Sequence, residues 1–174
     1  MNKFVIAVYV ENKFGVLTRV TSMFTRRGFN MDALTVGETE SPEYSRITIS
    51  LSGDGYAREQ LINQLKKLVN VKKVEVIEES AAIKRELALI KVRNSSETRT
   101  DVLAAIDVYR AKVIDFTANE MCIEITGDPH KINAFIEYLA PYGILEMCRT
   151  GIVALERGSG TLLSKKTVTG VHGK

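Results

Sequence analysis

The sequence is poor in the residues that many enzymes use for chemistry: it has two cysteines and two histidines among 174 residues. Cys122 and Cys148 lie in the apolar stretches EMCIEI and LEMCRT, which predicts reduced core residues rather than a disulfide or a metal pair. His130 and His172 have no serine, cysteine or carboxylate nearby in the pattern of a triad or a metal site. The sequence therefore predicts no catalytic residue and no metal ligand.

Long apolar runs and dense basic runs are also missing. The first apolar run, Phe4–Val10, ends at Glu11 without the small-residue cleavage site of a signal peptide. No segment approaches the ~20 apolar residues of a membrane span. The net charge is only +3, and the lysines and arginines are interleaved with acids, unlike the basic stripe of a nucleic-acid binder. We expect a cytoplasmic protein that binds neither a membrane nor nucleic acid.

The sequence lacks residues that phosphate-binding and RNA-binding motifs require. The RGSG stretch at 157–160 lacks the ending of a P-loop, and the GDG at 53–55 lacks the spacing of a dinucleotide fold. RNA-recognition modules need aromatic residues on their central strands, but RITISL and MCIEI contain none. Both glycine motifs are therefore interpreted as turns.

The spacing of apolar residues predicts one order of elements, β-α-β-β-α-β, repeated in two halves of about 75 residues. In the first half we expect strands at 4–10, 32–38, 46–52 and 71–79 and helices at 16–27 and 61–69. In the second we expect strands at 86–92, 112–119, 120–127 and 144–155 and helices at 101–110 and 131–143. The predicted class is α+β, with two tandem ferredoxin-like βαββαβ units. Such units leave one sheet face and the edge strands open, so we expect an oligomer.

The predicted domain boundaries follow from this repeat. Residues 1–79 form the first domain, 80–158 the second, beginning with the short linker SAAIKR, and 159–174 a flexible tail rich in Gly, Ser, Thr and Lys.

The turn ENKFGVL between the first strand and the first helix is the candidate site. The backbone amides around Gly15, Val16 and Leu17 lack partners at a helix start and attract a carboxylate. The side-chain amide of Asn12 can donate to a carboxylate and accept from an ammonium. Asn30 is expected to return to the same region after the helix. This predicts a site for a small zwitterion, although Asn and Gly are also ordinary turn residues, and that interpretation is equally compatible with the sequence.

Several long stretches resemble one family. They are VENKFGVLTRVTSMFTRRGFNMDALTVG with the following SRITI, RELALIKV, VIDFT, and ITGDPHKINAFIEYLAPYGILEMCRTGIVALERG. Together they resemble the small regulatory subunits of acetolactate synthase, also named acetohydroxyacid synthase, which begin with an ACT domain. The resemblance covers residues 3 to about 158.

The resemblance implies a chain that makes no product and carries no cofactor. Family members bind a catalytic large subunit that holds thiamine diphosphate, FAD and magnesium, raise its activity and make it sensitive to valine or another branched-chain amino acid. The effector lies between two ACT domains of a homodimer, which here implies Asn12, Gly15, Val16, Leu17, Asn30 and Met31. Many members have proline where this chain has Phe14. The alternative is a free-standing ACT-type sensor that shares the effector site but acts on another enzyme or on a transcription factor.

Overall fold

Two βαββαβ units of the ferredoxin type are present, which confirms the predicted fold class. The structure is a computed structural model that describes residues 2–163. The first unit consists of β1 (Asn2–Glu11), α1 (Val16–Arg27), β2 (Met31–Glu38), β3 (Tyr44–Gly53), α2 (Gly55–Leu65) and β4 (Val71–Ile77). Its four strands are antiparallel in the order β2-β3-β1-β4.

The second unit repeats this arrangement. It consists of β5 (Ala82–Arg93), α3 (Arg99–Tyr109), β6 (Lys112–Phe116), β7 (Glu120–Gly127), α4 (Pro129–Leu139) and β8 (Ile144–Arg149), and is followed by β9 (Val153–Glu156). The strand order is β6-β7-β5-β8, and β9 also pairs with β5. The same spatial order in both sheets is the structural counterpart of the repeat in the sequence.

Each unit has its own core on the face of its sheet that the two helices cover. In the first unit, Ile6, Val8 and Val10 of β1 pack with Phe24 of α1. In the second unit, Ile90 and Ile123 pack with Phe135 of α4. The alternation of these apolar residues along the strands explains why only one face of each sheet needs the helices.

The helix ends follow the predicted signals. Gly28 ends α1 in the left-handed conformation, with φ of 69°, and its N–H donates to the carbonyl oxygens of Phe24 and Thr25. Asp128 begins α4, where its side chain accepts from the N–H of Lys131 at 3.0 Å and Pro129 occupies the first turn.

Several predicted boundaries are wrong, including the start of α2, which lies at Gly55 rather than at 61. The strand expected at 144–155 is divided into β8 and β9, because Gly151 has φ of 80° and the backbone turns there. Helix α2 ends at Leu65 and does not continue to Val69, which is 86% exposed. The expected linker at 80–85 is mostly strand, since β5 begins at Ala82 after a 3₁₀ turn at Glu79–Ala81.

The described residues fall into two compact units. One contains the residues up to Ile83 together with those from Ala154 onward, and the other is Lys84–Val153. Of the predicted tail, the part after Leu163 lies outside the described residues, as does His172. His130 is exposed, at the start of α4.

The cysteines do not lie in the core. Cys122 is partly exposed and Cys148 exposed, and both are free thiols. Cys122 pairs with Lys91 and Cys148 with Leu89, the two neighbours of the core residue Ile90 on β5. Because paired residues of neighbouring strands share a face, both thiols lie on the sheet face opposite the helices. The expectation of buried core cysteines is therefore wrong.

Candidate functional site

The turn between β1 and α1 gives the helix an unblocked N-terminus. Gly15 precedes α1 with φ of 78° and ψ of −4°, a left-handed conformation that favours glycine. Within residues 2–163 no side chain caps this helix start, and its first turn has no acidic residue. The Val16 N–H donates to the carbonyl oxygen of Lys13 at 3.3 Å. The other amides of the first turn and the positive end of the helix dipole can bind an anion such as a carboxylate.

Asn12 is held in place by its own amide hydrogens. Its Nδ2 donates to Glu38 Oε1 at 3.2 Å and to the carbonyl oxygen of Pro42 at 3.0 Å, and its backbone N–H donates to the carbonyl oxygen of Glu43 at 2.7 Å. These bonds use both hydrogens of the side-chain amide and leave Oδ1 as its acceptor. In this conformation Asn12 can accept from an ammonium group rather than donate to a carboxylate.

The residues after Gly15 have different environments. Val16 is buried and packs in the core of the first unit, so that it can meet a ligand only through its backbone. Leu17 is 42% exposed and offers apolar surface beside the helix start. Phe14, just before Gly15, is fully exposed.

Asn30 and Met31 lie at the other end of the unit. The twelve residues of α1 separate them from Gly15 by about 18 Å. The strand register leads to the same conclusion. Met31 pairs with Leu51 and Leu51 pairs with Phe4, so Met31 lies at the level of the start of β1. Asn12 follows the last residue of β1, about 25 Å from the level of Phe4. The expectation that Asn30 returns to the region of Asn12 within one chain is therefore wrong.

A polar cluster joins the end of β1 to α1 and to the loop before β4. Glu11 Oε1 lies 2.6 Å from Lys72 Nζ, and Glu11 Oε2 lies 3.0 Å from Lys13 Nζ. Asn70 Nδ2 donates to Glu11 Oε2 at 2.8 Å, and Arg19 Nη1 of α1 donates to Asn70 Oδ1 at 2.8 Å. The hydrogen bond from Lys72, with those from Asn70 and Lys13, lowers the pKa of the Glu11 carboxyl to about 2. The cluster fixes the strand end from which the candidate turn begins.

The low pKa of Glu11 predicts a pH-dependent effect of the Glu11→Gln substitution. A carboxyl whose pKa falls from 4.5 to about 2 on folding stabilises the folded state above pH 4.5, and this contribution is lost as the pH falls through 2. We expect the substitution to lower the melting temperature at pH 7 and to have little effect near pH 2. Thermal unfolding of both proteins between pH 2 and 7 measures this. If the difference in melting temperature between the two proteins stays constant from pH 2 to 7, the low pKa of the Glu11 carboxyl is contradicted.

Residues 2–163 also offer neither a metal site nor a membrane-spanning helix. In that range no group of three or more His, Cys, Asp or Glu residues could hold a metal ion. None of the helices there is long and apolar enough to cross a membrane.

The first unit contains a cavity that was not predicted from the sequence. It lies on the sheet face opposite the helices, has a volume of about 460 Å³ and is lined by residues that include Tyr9, Arg46 and Leu155. The alternation in RITISL places Arg46 on the sheet face opposite Ile47, so the sequence already indicated a cation on that face. Nothing in the local sequence indicates that residues 154–163 return to cover this face.

Comparisons with known proteins agree on one family. Residues 6–73 match the family described as "AHAS small subunit-like ACT domain", and residues 85–158 match "Small subunit of acetolactate synthase". The acetolactate synthase small subunit of Mycolicibacterium smegmatis is 46% identical over 153 residues, which is 88% of this chain and 90% of that protein. The acetolactate synthase small subunit of Aquifex aeolicus is 44% identical over 158 residues, 90% of this chain and 82% of that protein.

A solved structure supports the same assignment. The crystal structure of the acetolactate synthase small subunit from Thermotoga maritima matches with a TM-score of 0.86 and 40% identity, over 92% of this chain and all of that one. The match extends through both units, so the similarity is not limited to the ACT domain. The chain belongs to the acetolactate synthase small-subunit family.

Proposed function

We propose that this chain is a non-catalytic regulatory subunit that binds valine, or another branched-chain amino acid, at the turn between β1 and α1. Its partner is the catalytic large subunit of acetolactate synthase, which carries the thiamine diphosphate, FAD and magnesium. Binding of this chain activates the large subunit, and valine reverses the activation. The observation that carries the proposal is the uncapped start of α1 behind Gly15, beside the fixed acceptor Oδ1 of Asn12.

The chemistry of the turn suits an amino acid with a small apolar side chain. The ligand carboxylate accepts from the amides at the start of α1, and its ammonium donates to Asn12 Oδ1. Its aliphatic side chain can cover the exposed part of Leu17. Lys13, a cation within the turn, is already paired with Glu11 Oε2 at 3.0 Å, so recognition of the carboxylate rests mainly on backbone amides and the helix dipole.

A second copy of the chain would complete this site. Strand β2 lies at the edge of its sheet with β3 as its neighbour, and an edge strand is where a strand of a second copy can pair. In a twofold dimer, two β2 strands meet antiparallel and the same surface is used on both copies. The Met31 end of one strand then meets the Glu38 end of the other. This brings Asn30 of the partner subunit to the Asn12 turn, which one chain alone cannot do.

Regulation requires that the ligand bind two arrangements of the complex with different affinity. A coupling free energy of ~1–3 kcal/mol is typical of such systems and changes an equilibrium by about 5- to 150-fold. A ligand shared between two protomers meets this requirement directly, because its affinity depends on how the protomers are placed.

The test of the regulatory role is acetolactate formation by the purified large subunit from the same organism. The rate is measured with and without this chain, across a titration with valine. We expect the chain to raise the rate and valine to lower it again, with leucine and isoleucine ranked afterwards. If the chain changes neither property while calorimetry still shows valine binding, the free-standing sensor is the better description.

Mixing two inactive variants tests whether the site is shared. We expect Gly15→Asp and Asn30→Ala each to weaken valine binding when alone. In a heterodimer of the two variants, one site contains both substitutions and the other contains wild-type Gly15 and wild-type Asn30. Unfolding and refolding a 1:1 mixture should therefore restore valine binding to about a quarter of the sites, by random pairing of twofold dimers.

The control is the same refolding procedure applied to each variant by itself, which should restore nothing. Calorimetry measures the number of sites. A mixture that binds no more valine than its separate components would show that the site does not span two chains.

A further inference from the structure

The cavity of the first unit has walls from two distant parts of the chain. Tyr9 of β1 and Arg46 of β3 are paired in register and share the sheet face opposite the core residues Val8 and Ile47. Leu155 and Leu162 contribute from the C-terminal segment, which we define as residues 154–163. All the lining residues belong to the same compact unit. A volume of about 460 Å³ lies within the range of small-molecule sites.

Negative charge dominates the lining. Five carboxylates contribute to it, but the only guanidinium among these lining residues is that of Arg46. The five acidic residues are Glu38, Glu40, Glu75, Glu78 and Glu156. One further cation is close, since Lys73 Nζ lies 3.5 Å from Glu75 Oε1. Within residues 2–163 no three acidic groups converge on a metal position. The charge distribution therefore suits an organic cation of some length rather than a metal ion.

Arg46 has one guanidinium nitrogen with a backbone partner and one buried nitrogen without any partner. Its Nη2 donates to the carbonyl oxygen of Ala154 at 2.7 Å. Its Nε is buried and has no hydrogen-bond partner, which is true of no other buried side-chain nitrogen or oxygen within the described residues. Burial lowers the pKa of Arg46, and the charge of Glu40 opposes that shift. A buried donor without an acceptor is unfavourable. A ligand carboxylate that accepts from this nitrogen would remove that cost and form a charge-assisted hydrogen bond.

We propose that this cavity is a second ligand site, which binds a free cationic amino acid. It is distinct from the turn at Gly15, although Glu38 lines the cavity and also accepts from Asn12 of that turn. The ligand carboxylate accepts from the guanidinium of Arg46, and its ammonium groups donate to the glutamates of the lining. The methylene chain of the ligand packs against apolar residues such as Ile77 and Leu155. This proposal does not rest on the proposed valine site.

Ligand binding requires the guanidinium to turn. Nε is shielded in the present conformation, so that a carboxylate can reach Nε and one Nη together only after Arg46 rotates. This bidentate arrangement is the geometry that an arginine fork favours. The rotation gives the proposal a local readout, because the Nε–H resonance of Arg46 should move when the ligand binds.

The probe is L-lysine, added to the full-length chain and followed by NMR of the arginine Nε–H groups and by calorimetry. Two analogues separate the contacts: norleucine lacks the side-chain ammonium, and cadaverine lacks the carboxylate. We expect L-lysine to shift the Arg46 resonance and each analogue to bind at least tenfold more weakly, about the effect of one charge-assisted hydrogen bond.

Variants of the lining identify the residues responsible. Arg46→Gln should weaken L-lysine binding at least tenfold, which is about 1.4 kcal/mol. It should not weaken cadaverine binding, because cadaverine has no carboxylate for the guanidinium and is repelled by its charge. Arg46→Lys retains the positive charge and serves as a control for a folding defect. It should also weaken L-lysine binding, because a lysine cannot form the bidentate contact with a carboxylate. Glu78→Gln should weaken both L-lysine and cadaverine by roughly threefold, the scale of a partly exposed ion pair.

The matched controls are Arg58→Gln and Glu59→Gln on α2, which lie outside the lining and should bind L-lysine like the unsubstituted chain. The proposal is overturned if millimolar L-lysine neither shifts the Arg46 resonance nor gives heat. Equal effects of Arg46→Gln and Arg58→Gln would also overturn it, since they would indicate binding to general surface charge. If valine, and not L-lysine, moves the Arg46 resonance, the cavity is not a site for cations and the second-site proposal fails.

Discussion

Replacing Gly15 with aspartate is expected to raise the dissociation constant for valine by about 100-fold, which corresponds to about 2.7 kcal/mol. The new carboxylate would lie at the positive end of α1, where it would accept from the same amides as the ligand and repel the ligand's own carboxylate. Space is not the reason, because a Cβ at Gly15 would meet nothing within 4 Å. Calorimetry with the isolated chain measures the effect.

The matched control is Gly15→Asn, which has almost the same shape and no charge. Both side chains require the left-handed conformation of Gly15, so that the backbone strain of ~1–2 kcal/mol is similar in the two variants. The difference between them therefore isolates the charge. We expect both variants to activate the large subunit, with valine inhibition lost in Gly15→Asp. Valine binding by Gly15→Asp at the unsubstituted strength would exclude the turn as the effector site.

Replacing Arg149 with methionine is expected to lower the free energy of unfolding by ~3 kcal/mol. Arg149 Nε and Nη2 donate to the two carboxylate oxygens of Glu86, each at 2.7 Å, and Nη1 donates to Asn133 Oδ1 at 2.9 Å. Glu86 is only 4% exposed, so its carboxylate would remain in a buried position without its arginine. The hydrogen bond with Glu86 raises the pKa of Arg149, as expected for a charge held by its partner.

Urea denaturation followed by circular dichroism measures this loss. The double variant Glu86→Leu with Arg149→Met removes both charges, and should recover much of the stability, because no uncompensated charge remains. The single variant Glu86→Leu leaves Arg149 partly exposed and should cost less than Arg149→Met. If Arg149→Met lowers the free energy of unfolding by no more than the double variant, the buried carboxylate does not depend on its arginine.

The sequence was informative about the secondary structure because the apolar residues alternate so regularly. Ile47, Ile49 and Leu51 indicated a strand and its buried face, and Gly28 marked the end of α1. Local signals for the ends of strands were weaker at the C-terminal end of the second unit. There Ile152 and Val153 continue the apolar pattern past Gly151, and only the left-handed backbone of that glycine shows that the strand is broken.

Long-range features were harder to predict than local ones. The bond from Arg46 Nη2 to the carbonyl oxygen of Ala154 joins residues 108 positions apart, and no spacing rule predicts it. The candidate turn was recognisable, because Gly15 and Asn12 are neighbours in sequence. The distance between Asn30 and Asn12 was also predictable, since the twelve residues of α1 carry the chain to the opposite end of the first unit.

The distance between Asn12 and Asn30 has a consequence for mass action. A ligand that needs both residues must hold two chains together, so that its binding and dimer formation are linked equilibria. Dilution that dissociates the dimer should lower the apparent affinity for valine, and saturating valine should keep the dimer intact at lower chain concentrations. The effector concentration that inhibits the enzyme would then depend on how much of this subunit the cell makes.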